Sequence, residues 1–442
     1  MSQLPRYESY KDSGVQWLGE IPNHWNVKQL KFAVTCNDEA LGENTELDYE
    51  ILYVDISSVS LTEGIKHKEE LLFENAPSRA RRVVKSGDVL VSTVRTYLKA
   101  ITYVESAEEN LIASTGFAVL RPSEKFDSKF IGYWIQSEGM VGNIVANSVG
   151  VSYPAINSTD LVRLPIVELP LSEQKFIADF LDKRLAQVDA LIAKQETLLE
   201  KLAEQRVALI SHAVTKGLNP TVEMKKTGIK WIGDIPKHWK IMGLKKSLAS
   251  IVDYRGKTPE KVEQGVFLVT ARNIKNGFID YSLSKEYVEE DLYLDIMSRG
   301  LPEIGDVLLT TEAPLGEIAQ IDKTDIALAQ RIIKFRGKKD VINNTFLKYF
   351  MLSRSFQDSL YTYSSGSTAI GIKAERLSYL KVAVPPLEEQ EFISNFIAEG
   401  VHDIDGMVDK VHQTIQVLRE YRSTLITQVV TGKIDVRNLK LN

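Results

Sequence analysis

Ser13-Gly14-Val15-Gln16-Trp17-Leu18-Gly19-Glu20-Ile21-Pro22-Asn23-His24-Trp25 returns later in the chain as Thr227-Gly228-Ile229-Lys230-Trp231-Ile232-Gly233-Asp234-Ile235-Pro236-Lys237-His238-Trp239. A second pair follows at nearly the same interval, Pro170-Leu171-Ser172-Glu173-Gln174 becoming Pro386-Leu387-Glu388-Glu389-Gln390. The copies keep one order and nearly one length from end to end. A chain built this way has two similar working ends, and its function must use both.

Each copy reads as a strand-rich globular part followed by one long helix. In the first, 87–93, 100–104 and 116–120 are short apolar runs bounded by turn residues, and 305–311, 317–321 and 331–335 answer them in the second; such runs predict strands. Amphipathic spacing predicts one helix over 129–147 and another over 344–363, each followed by a glycine-bearing loop, 148–152 and 364–368. The long helices are the clearest elements. Steps of four and three residues from Leu181 reach Leu185, Val188, Ile192, Gln195, Leu199, Leu202, Arg206, Leu209 and Ala213. The same walk from Ile397 reaches Val401, Ile404, Val408, Val411, Ile415, Leu418, Arg422, Leu425 and Val429. A heptad seam of this kind is the signature of a coiled coil. Ser172 with Glu173 and Gln174 offers an N-cap and an acidic first turn, and Gly217 with Pro220 stops the first helix. The expected fold is α/β (α+β), with two globular domains related by a pseudo-twofold and two long helices in an antiparallel coiled coil. The division is 1–168, first domain; 169–217, first long helix; 218–384, second domain; 385–442, second long helix and C-terminal tail.

Packing of each helix on its own domain or on another protein would also cover an apolar stripe. One detail favours the intramolecular pair. In an antiparallel register that sets Arg206 against Ile404 and Arg422 against Val188, Arg206 comes beside Asp405 and Arg422 beside Asp189. Symmetric bridges of this kind would set the register more than add stability.

At 442 residues the chain exceeds what one core usually organises, and a single cysteine, Cys36, excludes a disulfide framework and any Cys-based zinc site. No stretch approaches the roughly 20 apolar residues of a membrane span, so a cytoplasmic protein without a membrane partner is expected. The net charge of −5 argues against indiscriminate nucleic-acid binding by the whole surface but leaves room for local basic clefts.

Catalytic patterns are missing. Gly300-Leu301-Pro302-Glu303-Ile304-Gly305-Asp306 lacks the Lys-Ser/Thr of a phosphate-cradling loop, no Gly-x-Gly-x-x-Gly occurs, and Val384-Pro385-Pro386-Leu387 lacks the Asn and aromatic of an amino-methyltransferase motif. The six histidines are too scattered for a metal site, and His24 and His238, each beside a tryptophan, read as packing residues. The sequence thus assigns no catalytic, cofactor-binding or metal-binding residue.

What remains is recognition. Basic, amide and hydroxyl side chains gather at loops where the copies diverge. They are Arg79, Arg81, Arg82, Lys85, Arg95, Tyr97, Lys99, Ser148, Ser152 and Tyr153 in the first copy. In the second they are Arg255, Lys257, Arg272, Asn273, Lys275, Gln330, Arg331, Ser365, Ser367 and Thr368. Arg, Asn and Gln suit guanine and adenine edges, and Lys, Ser and Thr suit phosphates. Val94-Arg95-Thr96-Tyr97-Leu98-Lys99 stands against Glu312-Ala313-Pro314-Leu315-Gly316: one frame carries two readouts.

The chain resembles the specificity subunit of type I restriction-modification systems. The Gly-x-x-Trp-Leu/Ile-Gly-x-Ile-Pro-x-x-Trp openings, the Arg-x-Tyr-Leu and Ala-Pro-Leu-Gly loops and the Pro-Leu-x-Glu-Gln helix starts carry the likeness, which covers essentially the whole chain. The resemblance implies two target recognition domains, each binding half of a bipartite, asymmetric site in double-stranded DNA, with the helices setting the spacer. It implies a non-catalytic subunit that assembles with two modification subunits, which bind S-adenosylmethionine and methylate adenine, and with restriction subunits that translocate and cut DNA using ATP and Mg. It carries over loop regions, not individual base contacts. Two other readings stay open: a stand-alone DNA methyltransferase or nuclease, and an adaptor whose two ends bind proteins.

Overall fold

The computed structural model describes residues 5–254, 256, 259–365 and 370–439. Arg255, Lys257, Ser367 and Thr368 lie outside the described residues. The chain divides into two compact units, one formed by residues up to Gln195 together with those from Gln413 onward, the other by Glu196–His412. The division runs through the middle of both long helices.

In the first unit an antiparallel sheet is ordered Ile101–Tyr103, Val89–Ser92, Phe117–Pro122, Val34–Cys36. Its central strand is apolar on both faces because both are covered. Val89 and Val91 enter one core with Ala118 and Leu120, while Leu90 enters another with Phe117 and Val119. A second sheet is ordered Glu69–Leu72, Glu50–Val54, Leu111–Ser114, Ala80–Val83, and its two inner strands run parallel.

The second unit repeats the plan. Leu315–Gln320, Val307–Thr311, Ile332–Gly337 and Leu248–Asp253 stand in the equivalent order. Val307 and Leu309 face one core and Leu308 the other. Val266–Val269 runs parallel to Ile326–Leu328, with Tyr287–Val288 at the edge.

The helix expected over 129–147 is two helices, Ser128–Gln136 and Glu138–Ala146, and 344–363 likewise divides into Asn344–Leu352 and Arg354–Thr362. The breaks fall at Ser137 and Ser353, both buried and both in extended backbone at ψ 145° and 152°. Each hydroxyl donates to the carbonyl three residues back, Ser137 to Trp134 at 2.7 Å and Ser353 to Phe350 at 2.6 Å. Serine competes with the helix by such local bonds, and amphipathic spacing passes over a break that preserves the apolar face.

The long helices are Leu171–Lys216 and Leu387–Val430. Ser172 falls inside the first rather than capping it, because the first helical carbonyl is that of Pro170, which accepts from Gln174 N at 3.0 Å. Gly217, at φ 75°, ends it in the left-handed conformation that glycine adopts without strain. All twenty seam positions named above are buried or half-buried and none is exposed.

In the second unit Arg206 Nη1 donates to Asp405 Oδ1 at 2.7 Å; in the first, Arg422 Nε donates to Asp189 Oδ1 at 3.0 Å. Numbers rise along one helix as they fall along the other, so the helices pair antiparallel. Each unit's core is completed by the C-terminal end of a long helix. Leu425, Ile426, Val429 and Val430 pack with Trp25 in the first unit, and Ile210, Ala213 and Val214 with Trp239 in the second. Past the second helix, Asp435 N donates to Pro5 O at 2.8 Å.

Candidate nucleic-acid interface

The repeated motifs form the frame on which the loops stand. Trp25 Nε1 donates to Glu173 Oε1 at 3.2 Å, and His24 Nε2 lies 2.8 Å from Glu173 Oε2. Trp239 and His238 meet Glu389 in the same way, at 3.0 and 2.7 Å. The neighbouring glutamine ties the helix start to the domain. Gln174 accepts from Asp127 N and donates to Leu169 O, and Gln390 accepts from Asn343 N and donates to Pro385 O. These motifs join the N-terminal segment, the domain and the long helix. The two histidines act here as structural partners of a carboxylate.

A second duplicated device orders the strand before each variable loop. Asp88 is held by Arg121 through paired bonds of 2.9 Å, and Asp306 by Arg336 at 2.7 and 2.8 Å. The second unit adds Lys334, 2 % exposed, whose Nζ donates to Asp306 Oδ2 at 2.8 Å. Burial pushes the Asp306 carboxyl up, but the hydrogen bonds from Arg336 and Lys334 outweigh it and hold the group below the ordinary aspartate range.

On this frame the first unit brings two loops together. Arg95 and Lys99, both left-handed at φ 50° and 53°, bracket the short turn Thr96–Leu98. Arg95 N donates to Pro154 O at 2.7 Å, Thr96 Oγ1 lies 2.7 Å from Ser148 Oγ, and the Arg95 guanidinium stands 4.7 Å from the centre of the Tyr153 ring. Arg95, Tyr97, Lys99, Ser148, Ser152 and Tyr153 therefore form one patch, with Ser148 the most enclosed. Sequence reasoning missed Leu98, Val149 and Val151, which stand exposed in it. Apolar residues in a loop read as packing; the available signal was two valines flanking Gly150 in an otherwise polar stretch.

The other candidates of this unit lie along strand Ala80–Val83 and its approaches. Arg79 is pinned to Asp55 at 2.8 Å. Burial would raise the Asp55 carboxyl, but the hydrogen bonds from Arg79 and Tyr53 hold it low. The Arg81 guanidinium lies over Phe73 at 4.6 Å, Lys85 is bonded to Glu39, and Arg82 Nε is buried with no hydrogen-bond partner.

In the second unit Arg272, Gln330 and Arg331 line a cleft of about 360 Å³, together with Lys261, Thr270 and Glu286. Arg331, left-handed at φ 77°, pairs with Glu312 at 2.9 Å and lines the cleft along with Ala313. Lys261 and Glu286, absent from the sequence candidates, pair at 2.7 Å. Asn273 departs from expectation. It is fully buried, its Oδ1 accepts from Thr270 N and Oγ1, and its Nδ2 donates to Asp280 O and Ser284 O. Nothing remains to offer a base, and it shapes the loop that presents Arg272 and the exposed Lys275. Ser365 is exposed and exchanges backbone hydrogen bonds with Gly371 at the root of the second glycine loop.

Among the described residues no group of three His, Cys, Asp or Glu side chains is placed to hold a metal, and no helix is long and apolar enough to cross a membrane. The two loop sets offer hydrogen bonds, charge and apolar contact.

Comparison with known proteins agrees with the duplicated fold. The family model for the type I restriction modification DNA specificity domain matches twice, at residues 62–201 and 237–416. The MjaVIII specificity subunit of a type I restriction enzyme from Methanocaldococcus jannaschii is 25 % identical over 95 % of this chain and 95 % of its own length. The EcoKI specificity subunit of Escherichia coli K12 is 23 % identical over 75 % of this chain and 71 % of its own. A chain solved in work on complex assembly and conformational transition of the type I restriction-modification system superposes with a TM-score of 0.72 at 20 % identity, covering 94 % of this chain and 99 % of that one. With most of its length matched in two copies, the chain belongs to the family of type I restriction-modification specificity subunits.

Proposed function

We propose that each unit binds one half of a bipartite, asymmetric site in double-stranded DNA and that the paired helices set the spacer between the halves. The observation that carries this reading is a duplicated frame with unlike loops: an exposed apolar and basic patch around Arg95 in one unit, and a polar cleft around Arg272, Gln330 and Arg331 in the other. Two equal scaffolds with unequal chemistry suit a site whose halves differ in sequence. The long helices, of 46 and 44 residues, are each about 1.5 Å per residue in rise and so supply rods of more than about 60 Å.

On this reading the chain is non-catalytic and acts in the cytoplasm. It brings two modification subunits, which hold S-adenosylmethionine, and restriction subunits, which use ATP and Mg, to the sites its loops select. The test is methylome sequencing of DNA exposed to the chain assembled with its modification subunits. A bipartite methylated sequence is expected, with binding to it that weakens steeply as salt rises, at a slope of about −0.9 per phosphate neutralised. Methyl transfer by the chain alone would replace the reading with that of a self-contained enzyme, and salt-insensitive association without DNA would favour a protein adaptor.

A further inference from the structure

We propose, resting on the DNA-binding reading above, that the first unit reads thymine through its C5-methyl group on the floor of the major groove. Five large apolar side chains stand out from the loops at 94–99 and 148–155. Tyr97 and Leu98 are 52 % and 50 % exposed, Val149 and Val151 82 % and 102 %, and Tyr153 66 %. The loops form one surface, tied by the Thr96–Ser148 contact, the Arg95 N to Pro154 O bond and the antiparallel bridges of Ala155 to Val94 and Val149. Apolar side chains gathered on exposed loop tips mark a surface that meets a partner.

Charge identifies that partner. Neither 93–104 nor 139–159 contains an acidic residue, and Arg95 and Lys99 flank the turn that carries Tyr97 and Leu98. A surface with cations at its edge and no acid in either of its loops suits a polyanion with an apolar interior feature. Duplex DNA presents phosphates at the groove rim, and the apolar group on the major-groove floor is the thymine methyl. The cations meet the rim and the aliphatic tips meet the floor. The second unit's cleft, lined by Arg272, Gln330 and Arg331, has the opposite chemistry and suits purine hydrogen-bonding edges.

The experiment uses the full chain assembled with its modification subunits, on the bipartite duplex that methylome sequencing defines. The half read by the first unit is identified by exchanging residues up to 168 with those of a relative. Thymines in that half are then replaced by deoxyuridine, which removes only the methyl groups. Binding should weaken about fourfold for each methyl that is read, and replacement in the other half should have a smaller effect. A Leu98→Ser, Val151→Ser double variant should bind thymine and uracil duplexes equally, with unchanged melting because both side chains are exposed.

Equal binding of the two duplexes by the unaltered chain overturns the proposal, as does a first half-site with no thymine in either strand. Weaker binding by the double variant, with thymine still distinguished from uracil, assigns these side chains to a wedge between base steps and also overturns it. Failure of the broader reading looks different: the assembly then leaves no bipartite methylation pattern at all.

Discussion

Asp306 and Lys334 pose a sharp question at the scale of single residues, because the first unit does without the lysine. Lys334 pairs in register with Leu308 as Val119 pairs with Leu90. Lys334→Val should therefore change stability by no more than about 1 kcal/mol, since Arg336 still satisfies Asp306. Asp306→Asn should cost about 3–5 kcal/mol, because it strands a lysine that is 2 % exposed. Denaturant unfolding of the two variants checks the contrast, and equal losses would contradict it. The pH dependence follows from the depressed folded-state pKa. Asp306 contributes its full stabilisation above the ordinary aspartate range and loses it only as pH falls through the lower folded value. The Asn variant should lack that part of the acid limb. The frame was legible at this scale, since the Trp, Glu and Gln of the repeated motifs are the residues that hold it. The readers were less so. Asn273 has the right chemistry for a base contact and is consumed internally, and Leu98 and Val151 have chemistry that usually means core.

The paired helices belong to the scale of elements. Their seam could be read from spacing alone because a heptad is a local pattern, and Arg206 and Arg422 stood in it at matching places. Arg206 also donates to Asn276 O at 3.1 Å, so it ties the helix to a loop of its unit as well as to Asp405. Arg206→Glu should accordingly destabilise the second unit by more than the bridge alone contributes. Adding Asp405→Arg should recover about 0.5–1 kcal/mol, modest because Asp405 is nearly half exposed. Thermal melts of the four-member cycle measure the coupling, and a value of zero would remove the bridge from any role in register. The helix breaks at Ser137 and Ser353 were illegible for the converse reason. A one-residue kink that keeps the apolar face inward leaves no mark on periodicity.

At the scale of the whole molecule, unlike loops on like frames imply, on the proposed function, modularity. Exchange of residues up to 168 with a relative's should alter one half of the methylated site and leave the other, while lengthening the helix pair by whole turns should alter only the spacer. A methylome in which one exchange changed both halves would contradict independent readout. The composition of the units was beyond sequence reading, because the contacts that close the first unit join residues at opposite ends of the chain. Lys433 Nζ donates to Leu18 O at 2.9 Å, and Val436 lies in the core with Tyr7 and Trp25.

That closure sets an order of events during synthesis. The second unit, Glu196–His412, is one continuous stretch and has all its parts once its last residue has left the ribosome. The first unit, although it emerges earlier, lacks Leu425, Val429, Ile434 and Val436 until the whole second unit has been made. Its unfilled groove stays open to chaperones and proteases while the rest of the chain is made. A chain released early by a premature stop would carry a finished second half and an unsealed first one. Quality control can therefore remove chains whose first unit is incomplete.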